Sequence, residues 1–513
     1  MSSARRLASA TVALAFSLSS APELARAAAT PAPAADTAEI PIPIPPARTV
    51  VTHHTATIGG KLVKYTATAG TILLDDEKRK PTASVFYVAY TVDGATSARR
   101  PITFSYNGGP GGSSALVDVG AFGPRMVVTA NGAQTPPPPY DIVDNRDSIL
   151  DATDLVFIDA VGTGFSRLVG TGKPKDYYGV EQDGHAFSQF IRRYITTNDR
   201  WNSPKYLAGE SYGTTRSAVL SKMLGDDGIA LNGITLMSTV LDFANLEGGS
   251  GDDRPYWLYL PSEAAVAAYQ KKTAAPANLD AFLAQVRTFA EGPFLAALAQ
   301  GDRLPAAEKA RIAAQLHDYT GLPTDYLLRS DLRVDPSRFE KELLGPERET
   351  VGRYDARFRA FDLDPIASEA EVDPSSDAIF AAFTASFNRY VRQELNYKTD
   401  DKYEFLSYDV NRAWEWNPGG HATPVAVDVD DDLARAMTSN RYLRVFSANG
   451  LYDLATPFFN TEYSLGHLGI AKPLQSNISY GYYPAGHMIY LNPVAHAALK
   501  RDLDAFYARG ARS

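Results

Sequence analysis

Gly209-Glu210-Ser211-Tyr212-Gly213 sets a serine between two glycines, directly after the apolar run KYLA and before the helix-patterned TTRSAVLSKML. A strand that turns sharply into a helix holds such a serine hydroxyl exposed at the carboxyl end of a sheet, where it can attack a carbonyl. The flanking glycines are expected because side chains would collide in so tight a turn. A capping serine in an ordinary turn is the plainer reading of the same five residues. A second glycine-rich segment, Asn107-Gly108-Gly109-Pro110-Gly111-Gly112, follows the strand-like PITFSY. Glycine backbone approaches an anion closely and donates N–H groups to it. No Gly-Lys-Ser/Thr follows, and the spacing is not G-x-G-x-x-G, so a nucleotide phosphate is not indicated. An oxyanion hole fits both segments, with one N–H from Gly109 and the other from Tyr212, the residue after the serine.

A serine nucleophile needs a base, and the base needs an orienting acid. In folds built around a strand–serine–helix elbow, the acid follows the serine in the chain and the histidine comes last. Of eight histidines, His53 and His54 lie upstream in a β-rich stretch. His487, in YPAGHMIY, follows a terminal strand pattern, which is where the base belongs. Asp453, in NGLYDLATP, follows the strand-like YLRVFSA and completes the order. His496 is a second possible base, set inside a closing helix. A turn role is the plainer reading of Asp453. Asp430 to Asp432 read as a solvated acidic run, and His421, in NPGGHATP, as a loop or lid residue. The chemistry implied is acyl transfer. Ser211 attacks, His487 moves the proton, Asp453 holds the imidazole, and water releases the acyl group.

The elements that must position these residues are also legible. VVTHHTATI, KLVKYTATA, TILL and SVFYVAYTV read as antiparallel strands. PITFSY, DLVFIDA and PKYLAG are short and apolar, as buried parallel strands are. QDGHAFSQFIRRYI has helical spacing. Strands alternating with helices over about residues 100–245 predict an α/β fold, with a mixed, mostly parallel sheet and helices on both faces. Buried-strand runs almost vanish over 250–430, which reads as a mostly helical cap insertion. RYLRVFSANG and ISYGYYPAG return to strand, and PVAHAALKRDLDAFYARG reads as an amphipathic helix. The organisation expected is a signal peptide over 1–27, an Ala/Pro-rich leader over 28–48, the sheet's first part over 49–249, the cap over 250–430, and the sheet's second part over 431–513.

Composition narrows the function classes. The chain has 513 residues, 45% hydrophobic and 21% charged, which excludes a wholly disordered or fibrous protein. A net charge of −9, with one compact basic run at Lys78-Arg79-Lys80, argues against nucleic acid as partner. With no cysteine, disulfides, zinc–thiolate sites and a cysteine nucleophile are excluded. No H-E-x-x-H pattern occurs, so neither a metal nor another cofactor is implied. Arg5-Arg6, the apolar stretch Leu7 to Ser20 and Ala25-Arg26-Ala27 form the three-part pattern of a secretory signal. The apolar stretch is shorter than the ~20 residues a bilayer span needs. The expected product is exported, periplasmic or secreted, without a membrane span after cleavage. The sequence is silent on oligomeric state.

Four blocks in order, NGGPGGSS (107–114), DLVFIDAVGTGFS (154–166), GESYG (209–213) and the NGLYD plus AGHM pair, resemble the serine carboxypeptidase family of α/β-hydrolases. WLYLPSEAAVAAYQKK and GRYDARF resemble segments of its bacterial, secreted members. The resemblance implies a peptidase that releases C-terminal amino acids from peptides. Ser211 would be the nucleophile, Asp453 the acid, His487 the base, and Gly109 and Tyr212 the oxyanion hole. Asn107, Gly108 and Glu210 match positions that bind the substrate's terminal carboxylate, with Glu210 protonated or sharing a proton. Three residues depart from the family. Ser105 replaces its tryptophan. Gly112 replaces a cysteine, removing a structural disulfide. Ala121 replaces the second carboxylate-binding glutamate, between Asp118 and Arg125. The expectation is that Arg125, or an arginine from the helical insertion, takes over as a bidentate carboxylate anchor. A purely structural Arg125 is the alternative. Other readings of the same triad are an esterase or acyltransferase, a proline-specific aminopeptidase, and a non-catalytic hydrolase-like binding protein.

Overall fold

The computed structural model describes residues 41–95, 99–247, 251–417 and 426–510. The signal-like segment, the leader up to residue 40 and His421 lie outside the described residues. Ten strands form one sheet: β1 (Thr49–Ile58), β2 (Lys61–Asp75), β3 (Pro81–Val92), β4 (Ile102–Tyr106), β5 (Asp154–Ile158), β6 (Arg167–Leu168), β7 (Lys205–Glu210), β8 (Gly233–Met237), β9 (Arg444–Gly450) and β10 (Ile478–Tyr483). Their order is β1-β2-β3-β5-β4-β7-β8-β9-β10, with β6 paired to β3. β1, β2, β3 and β5 pair antiparallel in turn, and every pairing from β5 through β10 is parallel. This is the strand order of the α/β-hydrolase fold.

Two differences from the sequence pattern have local causes. KLVKYTATA and TILL form one strand, β2, because Gly70, followed by the β-branched Thr71 and Ile72, stays in the ladder and keeps its register opposite Tyr87. GITLM forms the parallel strand β8, flanked by β7 and β9. All five of its residues are buried, so no alternation marks it.

Helices α1 (Val180–Thr197) and α2 (Tyr212–Asp226) cover one face through Phe187, Phe190, Ala218 and Leu220. From 254 to 412 the chain is mainly helical. There α3 (Arg254–Tyr269), α4 (Leu279–Phe289) and α5 (Ala306–Thr320) enclose their own apolar cluster, including Leu258, Val286 and Ile312. α6 (Phe380–Arg389) instead joins the core of the opposite sheet face through Phe383 and Phe387. The run Asp430 to Asp432 is the first turn of α7 (Asp430–Ser439) and is not uniformly solvated: Asp431 is exposed, whereas Asp430 is half-buried and burial, with Asp428 and Asp242 nearby, pushes its pKa up to about 8. Leu433 and Met437 tie α7 to the α2 face of the sheet. α8 (Pro493–Gly510) packs Leu499, Leu503 and Phe506 onto the opposite face. Among the described residues no helix is long and apolar enough to cross a membrane.

The chain leaves β4 toward β5 on one side, and β7 lies on β4's other side. Loops at the carboxyl ends of strands diverge at such a switch point and open a crevice there. The loop after β4 carries the glycine-rich segment, and the turn after β7 carries Ser211.

Candidate active site

Ser211 stands between β7 and α2 with φ of 61° and ψ of −130°. A non-glycine residue at positive φ is strained, and surrounding contacts must hold it there. The Ser211 amide donates to the Met237 carbonyl at 3.0 Å, and the Thr214 hydroxyl donates to the Ser211 carbonyl at 2.6 Å. A Cβ on Gly209 would collide with the Gly213 carbonyl, which is why the motif tolerates no side chain there. Across the crevice, a Cβ on Gly108 would collide with the Tyr212 amide nitrogen and crowd the Glu210 carbonyl. The glycine-rich loop thus lies backbone to backbone against the first turn of α2. Gly109 lines the same cavity as Ser211, at φ of 110°. Gly108 and Gly109 thus line the cavity beside Ser211, and the Tyr212 amide nitrogen lies against Gly108.

His487 Nδ1 and Asp453 Oδ2 are 2.8 Å apart, and both residues are buried. Asp453 accepts three further hydrogen bonds, from the Ala455 and Thr456 amides at 2.8 and 2.9 Å and from the Thr456 hydroxyl at 2.8 Å. With His487 Nδ1, four donors on one carboxylate fix its orientation toward the imidazole. The His487 backbone is pinned at both ends. Its amide donates to the Tyr354 carbonyl at 2.6 Å, and its carbonyl accepts from the Ser238 hydroxyl at 2.7 Å. The Tyr354 ring packs edge-on to the imidazole, centroids 5.1 Å apart. Burial works against the imidazolium, yet the charge and hydrogen bond of Asp453, helped by Glu210 and opposed by Arg353, hold the pKa above 6.5.

Glu210 Oε1 accepts from Asn107 Nδ2 at 2.6 Å and from the Tyr490 hydroxyl at 3.5 Å, while its buried Oε2 has no hydrogen-bond partner among the described residues. Burial pushes its pKa up to about 7, against the pull of His487 and the bonds from Tyr490 and Asn107. Asn107 is itself fixed, accepting from the Val117 amide at 3.0 Å through Oδ1 and from Arg216 at 2.7 Å through its carbonyl. Arg216, one of the most deeply buried side chains, pairs with Asp183 at 2.6 Å and lies over the Phe187 ring.

A cavity of about 140 Å³ joins these groups. Asn107, Gly108, Gly109, Glu210, Ser211 and His487 line its polar part. Its apolar wall is Leu116, Ile379, Phe380, Phe405, Leu406 and Met488. Ile379, Phe380, Phe405 and Leu406 come from the helical insertion. Helical spacing carried no signal for the four, because Ile379 and Phe380 stand at the start of α6 and Phe405 and Leu406 lie in a non-helical segment. Tyr354 was within reach of sequence reasoning, since it lies in GRYDARF. Tyr490 and Thr456 were flagged by nothing but closeness to His487 and Asp453 in the chain.

The structure does not bring Arg125 to this cavity. Its guanidinium lies 2.6 Å from Asp144 and 3.2 Å from Glu394, and it also donates to the Ile142 carbonyl at 3.3 Å. Asp144 sits opposite Arg125 on a two-stranded ribbon, so cross-strand pairing holds the cation away from the crevice. From the insertion, Arg353 stands over the Tyr354 ring at 5.8 Å. Ala121 is buried, and its carbonyl accepts from Asn145 at 2.9 Å and from His496 Nε2 at 2.8 Å. His496 therefore buttresses the glycine-rich loop's outgoing segment and is occupied there. Asp118 is likewise buried away from the cavity and accepts from the Tyr90 hydroxyl at 3.0 Å. His53 and His54 lie in β1. Among the described residues no group of three or more His, Cys, Asp or Glu is placed to hold a metal ion.

Residues 63–240 match the family model described as serine carboxypeptidase. No curated protein matches the chain. Solved structures similar to it include a proline iminopeptidase of Mycobacterium smegmatis, at 14% identity and a TM-score of 0.35, covering 86% of this chain and 98% of that one. A lipase in its open form has 12% identity and a TM-score of 0.34, covering 86% and 99%. An epoxide hydrolase variant of Aspergillus niger has 13% identity and a TM-score of 0.33, covering 86% and 78%. The chain therefore has the α/β-hydrolase fold, and its residues 63–240 match the serine carboxypeptidase family model.

Proposed function

We propose that the protein is a serine carboxypeptidase that releases a single C-terminal amino acid through an acyl-enzyme on Ser211. The observation that carries the reading is Glu210. It is a buried acid poised near neutrality, next in the chain to the nucleophile, lining the same cavity, with one oxygen unpartnered. A protonated Glu210 can donate to a carboxylate, and Asn107 orients it. With the carboxylate there, the scissile carbonyl reaches Ser211. His487 takes the serine proton as the C–O bond forms, and the tetrahedral oxyanion meets the Gly109 and Tyr212 amides. The imidazolium, held by Asp453, gives its proton to the leaving amine as the C–N bond breaks. Water then attacks the ester by the same path in reverse, restoring Ser211 and releasing the shortened peptide. The leaving residue's side chain faces Leu116, Ile379, Phe380, Phe405, Leu406 and Met488, so large apolar residues are the preferred leaving groups. Export to the periplasm or medium, directed by residues 1–27, belongs to the same proposal.

The test is amino-acid release from blocked dipeptides by wild type and Ser211→Ala, each substrate beside its C-terminally amidated twin. Release that needs Ser211 and favours the free carboxylate is expected. Equal turnover of both twins, or hydrolysis of esters alone, would replace carboxypeptidase by an endopeptidase, esterase or acyltransferase.

A further inference from the structure

The block DLVFIDAVGTGFS holds none of the reacting groups, yet it closes directly behind the glycine-rich loop. Asp159, just past β5, is buried, and its Oδ1 accepts from the Ser114 amide at 2.8 Å and from the Tyr403 hydroxyl at 3.1 Å. Ser114 ends the glycine-rich loop, whereas Tyr403 opens a segment of the helical insertion. Burial raises the Asp159 pKa to about 6, and the bonds from Ser114 and Tyr403 oppose the rise, so at neutral pH it is a carboxylate able to accept both. The segment Tyr403 to Ser407 then runs across the loop as a strap. The Ser113 amide donates to the Phe405 carbonyl at 3.0 Å, and the Ser407 amide donates to the Gly111 carbonyl at 2.8 Å. Gly112 and Leu406 pair as an isolated antiparallel bridge. The strap is fastened to the Asp159 turn as well, with Gly164 and Glu404 exchanging backbone bonds of 2.8 and 2.9 Å.

A loop this rich in glycine has more conformational entropy to lose than any other backbone, and a donor displaced by about 1 Å loses most of its effect on an oxyanion. The chain has no cysteine with which to tie the loop covalently. We propose that Asp159 and Tyr403 are positioning residues, which lock the strap onto the glycine-rich loop and so hold the Gly109 amide in place for the transition state. This rests on the acyl-transfer reading of Ser211. It does not depend on which acyl compound is the substrate, because the oxyanion is common to peptides and esters.

The experiment compares wild type, Asp159→Asn and Tyr403→Phe on a blocked dipeptide, on a p-nitrophenyl ester, and in the rate at which a fluorophosphonate labels Ser211. Amide hydrogen exchange at Gly112, whose own bond runs to the Gly108 carbonyl rather than to Asp159, is followed in parallel. Tyr403→Phe removes one hydroxyl and keeps the ring, so it guards against a folding defect in Asp159→Asn. The expected result is a kcat lower by about tenfold or more in Asp159→Asn and by severalfold in Tyr403→Phe. KM should be unchanged, labelling slowed in proportion, and Gly112 exchange faster. If peptide release is absent while ester turnover or labelling shows this pattern, the carboxypeptidase reading fails and the positioning role stands. Unchanged kcat, labelling and Gly112 exchange in both variants would overturn the positioning role, as would a loss confined to KM.

Discussion

The KM of a blocked dipeptide with a free C-terminus should climb steeply above neutral pH, and Glu210→Gln should abolish the climb. Glu210 must hold a proton to receive the substrate carboxylate. Burial raises its pKa from 4.5 to about 7, against His487 and the bonds from Tyr490 and Asn107. The folded pKa is raised, so the competent, protonated form prevails below about 7 and is lost as pH rises through it. The competent fraction falls to about one-half at pH 7, about one-eleventh at pH 8 and about one-hundredth at pH 9, and KM rises by the inverse. Each further pH unit costs about 1.4 kcal/mol of substrate binding. His487 acts in the opposite direction. Its pKa is held above 6.5, so kcat grows with pH until the imidazole is neutral and then stays level. The kcat/KM profile is therefore a bell, with His487 on the acid limb and Glu210 on the alkaline limb. Glutamine keeps the shape and a donor but cannot ionise, so the variant should lose the alkaline limb and keep the acid one. The assay is initial-rate release of the C-terminal amino acid from pH 5 to 9 at fixed ionic strength, beside an amidated substrate whose KM should stay flat. A wild-type KM that does not change between pH 6 and 9, or a Glu210→Gln variant that keeps the rise, would refute the reasoning.

Asp453→Asn should lower kcat by about 10³ to 10⁴ by presenting the wrong tautomer of His487. The same change removes the group that raises the His487 pKa, so the residual activity should show its acid limb at lower pH, read from a kcat–pH profile. Blocked dipeptides ending in Phe or Leu should exceed those ending in Lys or Asp in kcat/KM by about tenfold or more, since a charged side chain would be desolvated against the apolar wall without a partner. Competition between paired substrates measures that ratio directly. Arg216→Leu should destabilise the fold by about 3 to 5 kcal/mol, because it strands the buried Asp183 carboxylate and releases the Asn107 carbonyl. Chemical denaturation would register it, and Asp183→Asn in the same chain should recover part of the loss.

How far the site was legible follows from how each part is specified. The elbow is local. Gly209, Ser211 and Gly213 lie within five residues, and their steric demands are written in their types. The order of serine, acid and histidine follows from strand succession, so Asp453 and His487 could be chosen by what precedes them. The strand β8 had no such mark, because a strand buried on both faces shows no alternation. Arg125 shows the other limit. Its type suited a carboxylate, and the structure supplied two that belong to the protein, Asp144 and Glu394. Nothing near Arg125 in the chain distinguishes a substrate carboxylate from that of Glu394, 269 positions further on.

By itself, the residue order determined that a serine would stand in a strand–helix elbow facing a glycine-rich backbone, with an acid and a histidine to follow. Each of those statements concerns neighbours along the chain or the succession of elements. Only the tertiary structure decided which groups set the proton affinity of Glu210, that Tyr490 reaches it, that Phe380 and Leu406 wall the cavity, and that Asp159 accepts from both Ser114 and Tyr403. Desolvation, charge and contact depend on distance through space, and the groups that set them here are contributed by segments hundreds of residues apart.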